Sequence, residues 1–395
     1  MNCIITSPNF PPHGYKFCRA LKNSGANVLG IGDEEYFNLL PELREVLTEY
    51  YKVGSMHDYS EMLKACGYFI FRYGKIGCIE SHNEYWLETD AKLRTDFNVP
   101  GIKANEIESM QYKSKMKKKF IAAHVPIIEG EIINTKEEAL NFIKNTGYPV
   151  IAKPDKGVGA SDTFKIHNED ELNSFFQNKP DLIYFMEQFI KGTIYSFDGL
   201  VDKDGKIAFC TCHKYNSGVM EILHHDLDLY YYSLREIPDK LYEYGERIIN
   251  TYKIKERFFH FEFFKIEGEK KEKYVALEVN MRPPGGWTVD MFNYSADIDL
   301  YQEWANIIVK NEFTSKGYTR KYHSCYISRK NNRNYLYSQD DIVREYGHLI
   351  SCYEEMKGIF AHVMGNFGYI IRSPDIDELL NAVQFIQKLK ENGGN

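Results

Sequence analysis

Two runs rich in aromatic and β-branched residues, Phe258–Ile266 and Tyr274–Asn280, flank a charged turn that contains a glycine. Such runs on either side of a turn predict a β-hairpin, here with its turn centred on Lys270. Side chains alternate between the two faces of a strand, so this pairing places Glu262 directly opposite Glu278. Two carboxylates in directly opposed positions repel each other, and something at this point must offset that repulsion.

A divalent cation is the simplest partner for such an acidic pair. Two carboxylates together with an amide oxygen suit Mg²⁺, and Asn280 lies on the same face of its strand as Glu278. Phenylalanine and valine crowd both strands, so the sequence predicts a metal site made of Glu262, Glu278 and Asn280. A solvated acidic face is the alternative interpretation.

An arginine and a glycine-rich turn follow the second strand. Arg282 stands two residues after Asn280, where its planar guanidinium suits the oxygens of a phosphate or a carboxylate. A structural salt bridge is the alternative role for this arginine. After two prolines, the N–H groups of Gly285 and Gly286 are predicted to cradle a substrate carboxylate, with a plain turn as the alternative.

An acidic residue on one strand, followed by Glu-x-Asn-x-Arg on the next, resembles the metal-binding element of the ATP-grasp superfamily. The similarity is closest to the branch that includes biotin carboxylase, the carbamoyl phosphate synthase large chain and amino-acid ligases. Its ordered motifs cover about residues 105–290. The upstream motifs are a helix-opening lysine, Lys113 in YKSKMKKKFIAAHVP, a strand-ending lysine, Lys153 in VIAKPDKGVGASDT, a glycine loop, Lys156–Thr163, and a hinge strand, Phe185–Ile190.

The resemblance implies an α/β protein of the α+β type, with an ATP-grasp fold behind an N-terminal Rossmann-like domain. It implies ATP and one or two Mg²⁺ as cofactors, with Mn²⁺ as an alternative metal. Lys113 and Lys153 are expected to bind phosphates, and Lys153 and Arg282 to act in catalysis. The hinge backbone, as an edge strand, is expected to bind the adenine. The other nucleotide contacts expected from the glycine loop and the hinge are Lys156, Gly157, Gly159, Ser161, Glu187, Gln188, Phe189 and Ile190.

One position departs from the superfamily pattern. Many of its ligases have Gly-x-Glu just after the hinge, with the glutamate on the ribose hydroxyls. Here the corresponding run is Gly192-Thr193-Ile194. The ribose contact is therefore left unassigned.

The length of the chain predicts several units, because 395 residues are too many for one compact core. We expect a Rossmann-like domain over residues 1–104 and the small ATP-grasp lobe over 105–186. The large lobe with the metal site is expected over 187–310. Residues 311–395 are expected to complete the large lobe or to cover the site.

Composition narrows the class of protein. A formal charge of −7 argues against a nucleic-acid surface, and no apolar run reaches the ~18 residues of a membrane span. The eight cysteines are scattered without zinc-like spacing, which indicates a reducing, cytoplasmic setting. The expected partners are small molecules, a carboxylate and an amine, and a homodimer is one alternative for the oligomeric state.

Hydrophobic patterning near the N-terminus predicts alternating strands and helices. We expect strands at Cys3–Thr6, Val28–Ile31 and Tyr68–Phe71, and a helix at Gly14–Ser24. This alternation implies a parallel sheet with helices on its faces.

The segment that carries Lys113 is expected to form one helix near 106–123, capped by Asn105 and Glu108. Lys113 falls on the apolar stripe of this helix and is expected to point inward. The neighbouring lysines are expected to reach solvent, as lysines beside an apolar face usually do; these are Lys115, Lys117, Lys118 and Lys119. In the tail, strands are expected near Leu349–Tyr353 and Ile359–Met364, with a final helix from Pro374.

The function that these residues predict is ATP-dependent ligation. The γ-phosphoryl group would pass to a carboxylate, and an amine would displace phosphate from the acyl phosphate, leaving ADP and phosphate. Two alternatives remain: an enzyme that forms carboxyphosphate, as biotin carboxylase and carbamoyl phosphate synthase do, and a non-catalytic nucleotide-binding protein. The candidates for a general base are His213, Lys214, His224 and His225, each with a surface role as the alternative. His260 falls on the same strand face as Glu262, where it is expected to approach the metal cluster, with orienting a carboxylate as the alternative.

Overall fold

A computed structural model describes residues 1–157, 162–218, 222, 226–268, 272–356 and 361–390. Its strands form three sheets, each built from a different stretch of the chain. Within these described ranges, no helix has the length and apolarity that crossing a bilayer requires.

The N-terminal sheet is parallel, as predicted, with strand order β3-β2-β1-β4. Its strands are β1 Asn2–Thr6, β2 Asn27–Gly32, β3 Glu49–Lys52 and β4 Ile76–Glu80. Its helices are α1 Gly14–Asn23, α2 Pro41–Val46, α3 Tyr59–Tyr73 and α4 Leu87–Asp96, with a short 3-10 helix at Tyr36–Asn38.

The predicted strand Tyr68–Phe71 was wrong, because these residues lie inside α3. Asp58 caps the start of this helix by accepting a hydrogen bond from Ser60 N–H, and Gly74 ends it with a φ of +81°. A short apolar run is compatible with a strand or with one face of a buried helix. The strand of this region follows the glycine, as β4.

The second sheet has the order β5-β8-β6-β7 and is antiparallel throughout. Its strands are β5 Gly130–Ile133, β6 Val150–Pro154, β7 Phe164–Ile166 and β8 Tyr184–Gln188. Two helices, α7 Lys136–Thr146 and α8 Glu169–Asn178, belong to the same region. Both helices have side-chain caps: Thr135 and Glu138 form a capping box, and Asn168 accepts from Glu171 N–H.

The third sheet has eight strands in the order β13-β12-β9-β10-β11-β14-β16-β15. These strands are β9 Gly192–Val201, β10 Ile207–Tyr215, β11 Tyr230–Ser233, β12 Arg257–Ile266, β13 Tyr274–Asn280, β14 His323–Arg329, β15 Ile350–Glu355 and β16 Phe367–Ser373. The accompanying helices are α9 Asp239–Tyr252, α10 Thr288–Ala296, α11 Leu300–Lys310, α12 Gln339–Tyr346, α13 Ala361–Met364 and α14 Ile376–Ile386, with a 3-10 helix at Gly347–Leu349.

The tail strands join the same sheet as the predicted hairpin. The predicted strand at Ile359–Met364 was wrong in its described part, since Ala361–Met364 is helical and the strand begins at Phe367. Residues 359 and 360 lie outside the described ranges. The four-segment division of the chain stays a prediction.

Alternation along β12 separates the two faces of the large sheet. Phe259, Phe261 and Phe263 are buried in a core that also contains Met116 and Ile248, from helices on that side. His260 and Glu262 lie on the opposite face. The hairpin therefore presents an apolar surface to the core and a polar surface to the candidate site.

Buried charges fasten the N-terminal sheet to the hairpin. Arg257, at the start of β12, pairs with Glu80 at the end of β4 and donates to the carbonyl of Met281. Arg94 Nη2 lies 3.5 Å from Oε2 of the same carboxylate. Burial by itself raises the pKa of Glu80, but the two arginines outweigh it and lower the pKa to about 2. Glu80 is therefore charged wherever the protein is folded near neutral pH.

Glu80→Gln should lower the free energy of unfolding by about 3–5 kcal/mol at pH 7, because it leaves buried arginines without their counter-charge. The difference from wild type should shrink as pH falls from about 4.5, the ordinary pKa of this side chain, towards about 2. Below its unfolded-state pKa, the wild type progressively loses the stability that charged Glu80 contributes. Urea unfolding between pH 7 and pH 3 measures both effects.

The control is Glu35→Gln, which breaks an exposed ion pair with Lys52. That variant should change stability by less than about 1 kcal/mol. Equal effects of the two substitutions at pH 7 would contradict the anchoring role of Glu80.

Candidate active site

The predicted hairpin is present, and the predicted pairing holds at the acidic residues. A bulge between Glu262 and Phe263 shifts the register by one residue towards the turn. Glu262 lies directly across from Glu278, and His260 directly across from Asn280. Burial raises the pKa of Glu278 and the charge of Glu262 raises it further, whereas Lys113, Lys153 and Arg282 oppose that rise. The acidic pair is thus repulsive, as expected, and three cationic side chains lie close enough to offset it.

The donor set of this pair fits a hard divalent cation. Glu262 and Glu278 are half-buried, and Asn280 is buried beside them. The described residues contain no group of three or more His, Cys, Asp or Glu arranged to hold a metal ion. The predicted set has two carboxylates and one amide, and carboxylate and amide oxygens are ligands for Mg²⁺.

Lys113 opens a helix, but the predicted single helix near 106–123 was wrong. Two helices are present, α5 Glu108–Gln111 and α6 Lys113–Ala122, and the extended backbone of Tyr112 separates them. The predicted cap by Asn105 and Glu108 is also wrong, because Ile107 occupies the N-cap position without a side-chain hydrogen bond.

The cap of α6 comes from another part of the chain. Asp155, just after β6, accepts from Ser114 N–H at 2.7 Å and from the Ser114 hydroxyl at 2.8 Å. Its own carbonyl accepts from Lys113 N–H at 2.8 Å. This distant acceptor starts a new helix at Lys113 and buries that lysine, and burial lowers the pKa of Lys113.

Glu187 joins two lysines in the interior. Its carboxylate pairs with Lys153 and, at 2.7 Å, with Lys117. Lys117 was predicted to reach solvent, which is wrong: it is 5% exposed and also donates to the carbonyl of Ile128. Burial raises the pKa of Glu187, but the lysines outweigh that effect and lower it.

The hinge strand is internal. The expectation of an edge strand was wrong, because β8 lies between β5 and β6. Gln188 N–H donates to the carbonyl of Glu129 at 3.0 Å, and Phe189 N–H donates to that of Pro149 at 3.3 Å. Adenine binding by Glu187–Ile190 stays a prediction, but these two N–H groups already have partners.

The glycine loop is described only at its ends. Lys156 forms a 2.6 Å ion pair with Glu88 of α4, and the carbonyl of Gly157 lies 3.4 Å from Lys113 Nζ. Gly159 and Ser161 lie outside the described residues. The phosphate contacts assigned to this loop stay predictions.

Arg282 is held by a carboxylate that the sequence did not reveal. Its Nε lies 3.3 Å from Glu84 Oε2, and its Nη1 donates to the carbonyl of Pro283 at 2.9 Å. Burial raises the pKa of Glu84, with Glu278 adding to the rise and Arg282 opposing it.

Glu84 could have been found from its place in the chain. It lies in the loop after β4, and β4 sits beside β1 where the strand order of the parallel sheet reverses. Side chains at that point of a parallel sheet commonly bind ligands. Misplacing the strand at Tyr68–Phe71 concealed this signal.

The Gly285–Gly286 turn precedes helix α10. Gly285 accepts from the Thr288 hydroxyl at 2.7 Å, and Gly286 has a φ of +63°. A Cβ on Gly286 would lie 2.6 Å from Met364 Cε, which is the end of a flexible side chain and can shift, so it is the positive φ that favours glycine here. No hydrogen bond within the described chain uses the N–H of either glycine. Both donors are available to a carboxylate.

Two histidines, one of them a candidate base, lie inside the large sheet. His213 is fully buried, with Nδ1 2.8 Å from Asp198, and His260 contacts both Asp198 and Glu262. Burial lowers the pKa of His260, but the two carboxylates outweigh it and raise the pKa to about 9. Lys214 also lies on β10, while His224 and His225 are outside the described residues. The identity of a general base stays open.

Comparison with known proteins identifies an ATP-grasp domain in this chain. Residues 110–232 match the family model of the ATP-grasp domain. The L-arginine-specific L-amino acid ligase of Bacillus subtilis is 23% identical over 255 residues, which cover 61% of this chain. The match covers 59% of that ligase, so this chain spans about three fifths of the relative's length.

Solved structures confirm the fold. The L-amino acid ligase of Bacillus licheniformis superimposes with a TM-score of 0.71 at 13% identity, covering 97% of this chain and 96% of that one. The biotin carboxylase domain dimer of Hydrogenobacter thermophilus 2-oxoglutarate carboxylase, in complex with MgADP, ADP and bicarbonate, gives 0.67 at 18% identity. That alignment covers 96% of this chain and 88% of the other. At such identities the likeness shows the ATP-grasp fold.

Asp155→Ala should lower the free energy of unfolding by about 1–2 kcal/mol, because helix α6 loses its cap. Ser114→Ala is the matched control: it removes only the hydroxyl hydrogen bond and leaves the N–H bond to Asp155. Urea denaturation should show a clearly smaller loss for that control. Equal losses would mean that the backbone cap contributes nothing.

Proposed function

We propose that this chain, which carries an ATP-grasp domain, is an ATP-dependent ligase that joins a carboxylate to an amine and releases ADP and phosphate. The observation that carries the proposal is the convergence of charge on the hairpin. Lys113, Lys153 and Arg282 come from different elements and all act on Glu278, which faces Glu262. Acidic and cationic side chains gathered around one point suit a polyphosphate bound together with a metal ion.

Glu262, Glu278 and Asn280 would hold one or two Mg²⁺, with Mn²⁺ as an alternative. Bound there, the metal would neutralise negative charge on the phosphate oxygens of ATP while the γ-phosphoryl group passes to the carboxylate. The repulsion between Glu262 and Glu278 supports this assignment, because a cation between them removes it.

Lys113 and Lys153 are proposed to bind phosphate oxygens as point charges. Glu187 holds Lys153 and Lys117 in the interior through ion pairs. An ammonium tethered in this way has few orientations and loses little entropy when an anion arrives. Lys156, Gly157, Gly159 and Ser161 are proposed to close over the nucleotide.

Arg282, Gly285 and Gly286 are proposed to bind the carboxylate that becomes the acyl phosphate. Glu84 restrains the guanidinium of Arg282 from one side. The two glycine N–H groups lie just before the N-terminus of α10, where backbone donors favour an anion. An organic carboxylate would span both sets of donors.

A carboxyphosphate-forming enzyme is the second candidate. The specific observation in its favour is the structural likeness to a biotin carboxylase domain solved with bicarbonate. The carboxylate cradle of Arg282 and the two glycines favours a larger acid. We keep the ligase as the first candidate for that reason.

A homodimer in a reducing, cytoplasmic compartment is part of the same proposal. All eight cysteines are free thiols and seven are buried, which supports a reducing setting. The likeness to a domain that forms a dimer supports the oligomeric state. Light scattering of the purified protein tests it.

The direct test is ADP release from ATP and Mg²⁺ across a panel of amino-acid pairs, with and without bicarbonate. A carboxylate and an amine together should stimulate ADP release far more than bicarbonate does. Hydroxylamine in place of the amine should yield a hydroxamate, since it attacks an acyl phosphate. Release of AMP and pyrophosphate would overturn the mechanism, and equal or greater stimulation by bicarbonate would favour the second candidate.

Glu278→Gln should reduce turnover by about 10²–10³-fold, a loss typical of removing one transition-state electrostatic contact. The metal-free protein should unfold at the same temperature as wild type or slightly higher, because one repelling charge is gone. Glu272→Gln is the matched control, since Glu272 is exposed on the same hairpin and pairs with Lys265. Turnover of Glu278→Gln close to that of this control would contradict the metal assignment.

A further inference from the structure

Two rows of polar side chains cross the large sheet from the hairpin inward. Each row occupies directly paired positions on β13, β12, β9 and β10. One row consists of Glu278, Glu262, Ser196 and His213. The other consists of Asn280, His260, Asp198 and Thr211. We call these eight residues the polar rows.

Inside the polar rows a continuous chain of contacts leads away from the predicted metal ligand. His260 Nε2 lies 3.0 Å from Glu262 Oε1, and His260 Nδ1 contacts Asp198 Oδ1. The other oxygen of Asp198 accepts from the Ser196 hydroxyl and lies 2.8 Å from His213 Nδ1.

Burying the Asp198 carboxylate costs solvation free energy, which its contacts must offset. Its side chain is completely buried, and a buried carboxylate requires several hydrogen bonds to offset lost solvation. Ser196, His213 and His260 all supply contacts to it. Leu200, two residues further along the same face of β9, is buried in an apolar cluster, so the surroundings of Asp198 are not polar throughout.

The imidazole ring of His260 restricts the orientation of the Glu262 carboxylate. Each nitrogen of His260 faces a carboxylate oxygen, so the ring cannot turn without losing both contacts. Glu262 Oε1 is thereby held, while no side chain of the described ranges donates a hydrogen bond to its Oε2. One oxygen is fixed and the other is left for a ligand.

We propose that Asp198, acting through His260, is a positioning residue that sets the orientation of Glu262 for the divalent cation. The inference rests on the metal site of the proposed function and extends it from the hairpin to β9. Residues that orient a metal ligand commonly contribute about 10–100-fold to metal affinity. Asp198 is therefore a determinant of metal binding that touches neither metal nor substrate.

The experiment measures Mn²⁺ binding directly, from the electron paramagnetic resonance signal of free Mn²⁺, with and without ADP. Asp198→Asn and His260→Phe should each weaken binding by about 10–100-fold. The phenylalanine keeps the ring volume and removes both nitrogens. Thr211→Val is the matched control, because the Thr211 hydroxyl lies in the same rows, is buried and has no hydrogen-bond partner among the described residues. Its Mn²⁺ affinity should equal that of wild type.

The double variant tests whether Asp198 acts through the ring. In the His260→Phe background, Asp198→Asn should cause no further loss of Mn²⁺ affinity, since the connection is already broken. Losses that add would show that Asp198 acts independently, and they would overturn the proposal. The Mn²⁺ concentration needed for half-maximal turnover should rise in both single variants more than the rate at saturating Mn²⁺ falls.

Failure of this inference is distinguishable from failure of the proposed function. Wild type that binds no Mn²⁺, with or without ADP, overturns the metal site itself. Wild type that binds Mn²⁺ no better than Asp198→Asn overturns only the positioning role. If Asp198→Asn does not fold, as judged by circular dichroism, unchanged affinity in His260→Phe overturns the proposal equally.

Discussion

The rest of the site depends on one unfavourable contact, the two carboxylates of Glu262 and Glu278 in directly opposed register. Sheet pairing holds them there, so the repulsion has to be offset by charges brought from elsewhere. Those charges are Lys113 at the start of α6, Lys153 in β6 and Arg282 after β13. Each of these cations reaches the acidic pair only when the helix, strand or loop that carries it is correctly folded.

Carboxylates in turn hold two of these cations. Glu187 pairs with Lys153, and Glu84 Oε2 lies 3.3 Å from Arg282 Nε. A buried or half-buried cation needs such a partner, because lost solvation is otherwise uncompensated. The N-terminal sheet supplies Glu84 and, through Glu80 and Arg257, a buried attachment to the hairpin. Its contribution to the site is thus electrostatic as well as steric.

Local errors in the sequence prediction share one physical cause. Tyr68–Phe71, the segment near 106–123 and residues 361–364 each have patterns compatible with more than one structure. For the segment near 106–123, a contact from another part of the chain decided between them. The side chain of Asp155, 41 residues from Ser114, accepts the hydrogen bond that caps α6, and no local pattern predicts this contact. Lys117 was misassigned for the same reason, since its partner Glu187 lies in another strand.

The sequence by itself determined the hairpin and its facing acids, because strand alternation and a short turn are local properties. It also determined the parallel N-terminal sheet and the resemblance to ATP-grasp proteins. Only the tertiary structure decided which lysines are buried, that the hinge strand is internal, and that Glu84 lies beside Arg282 and Asp198 beside His260. These outcomes depend on contacts between segments that are far apart in the chain. The free energy of a buried charged side chain is set by the groups around it, and the local sequence does not specify those groups.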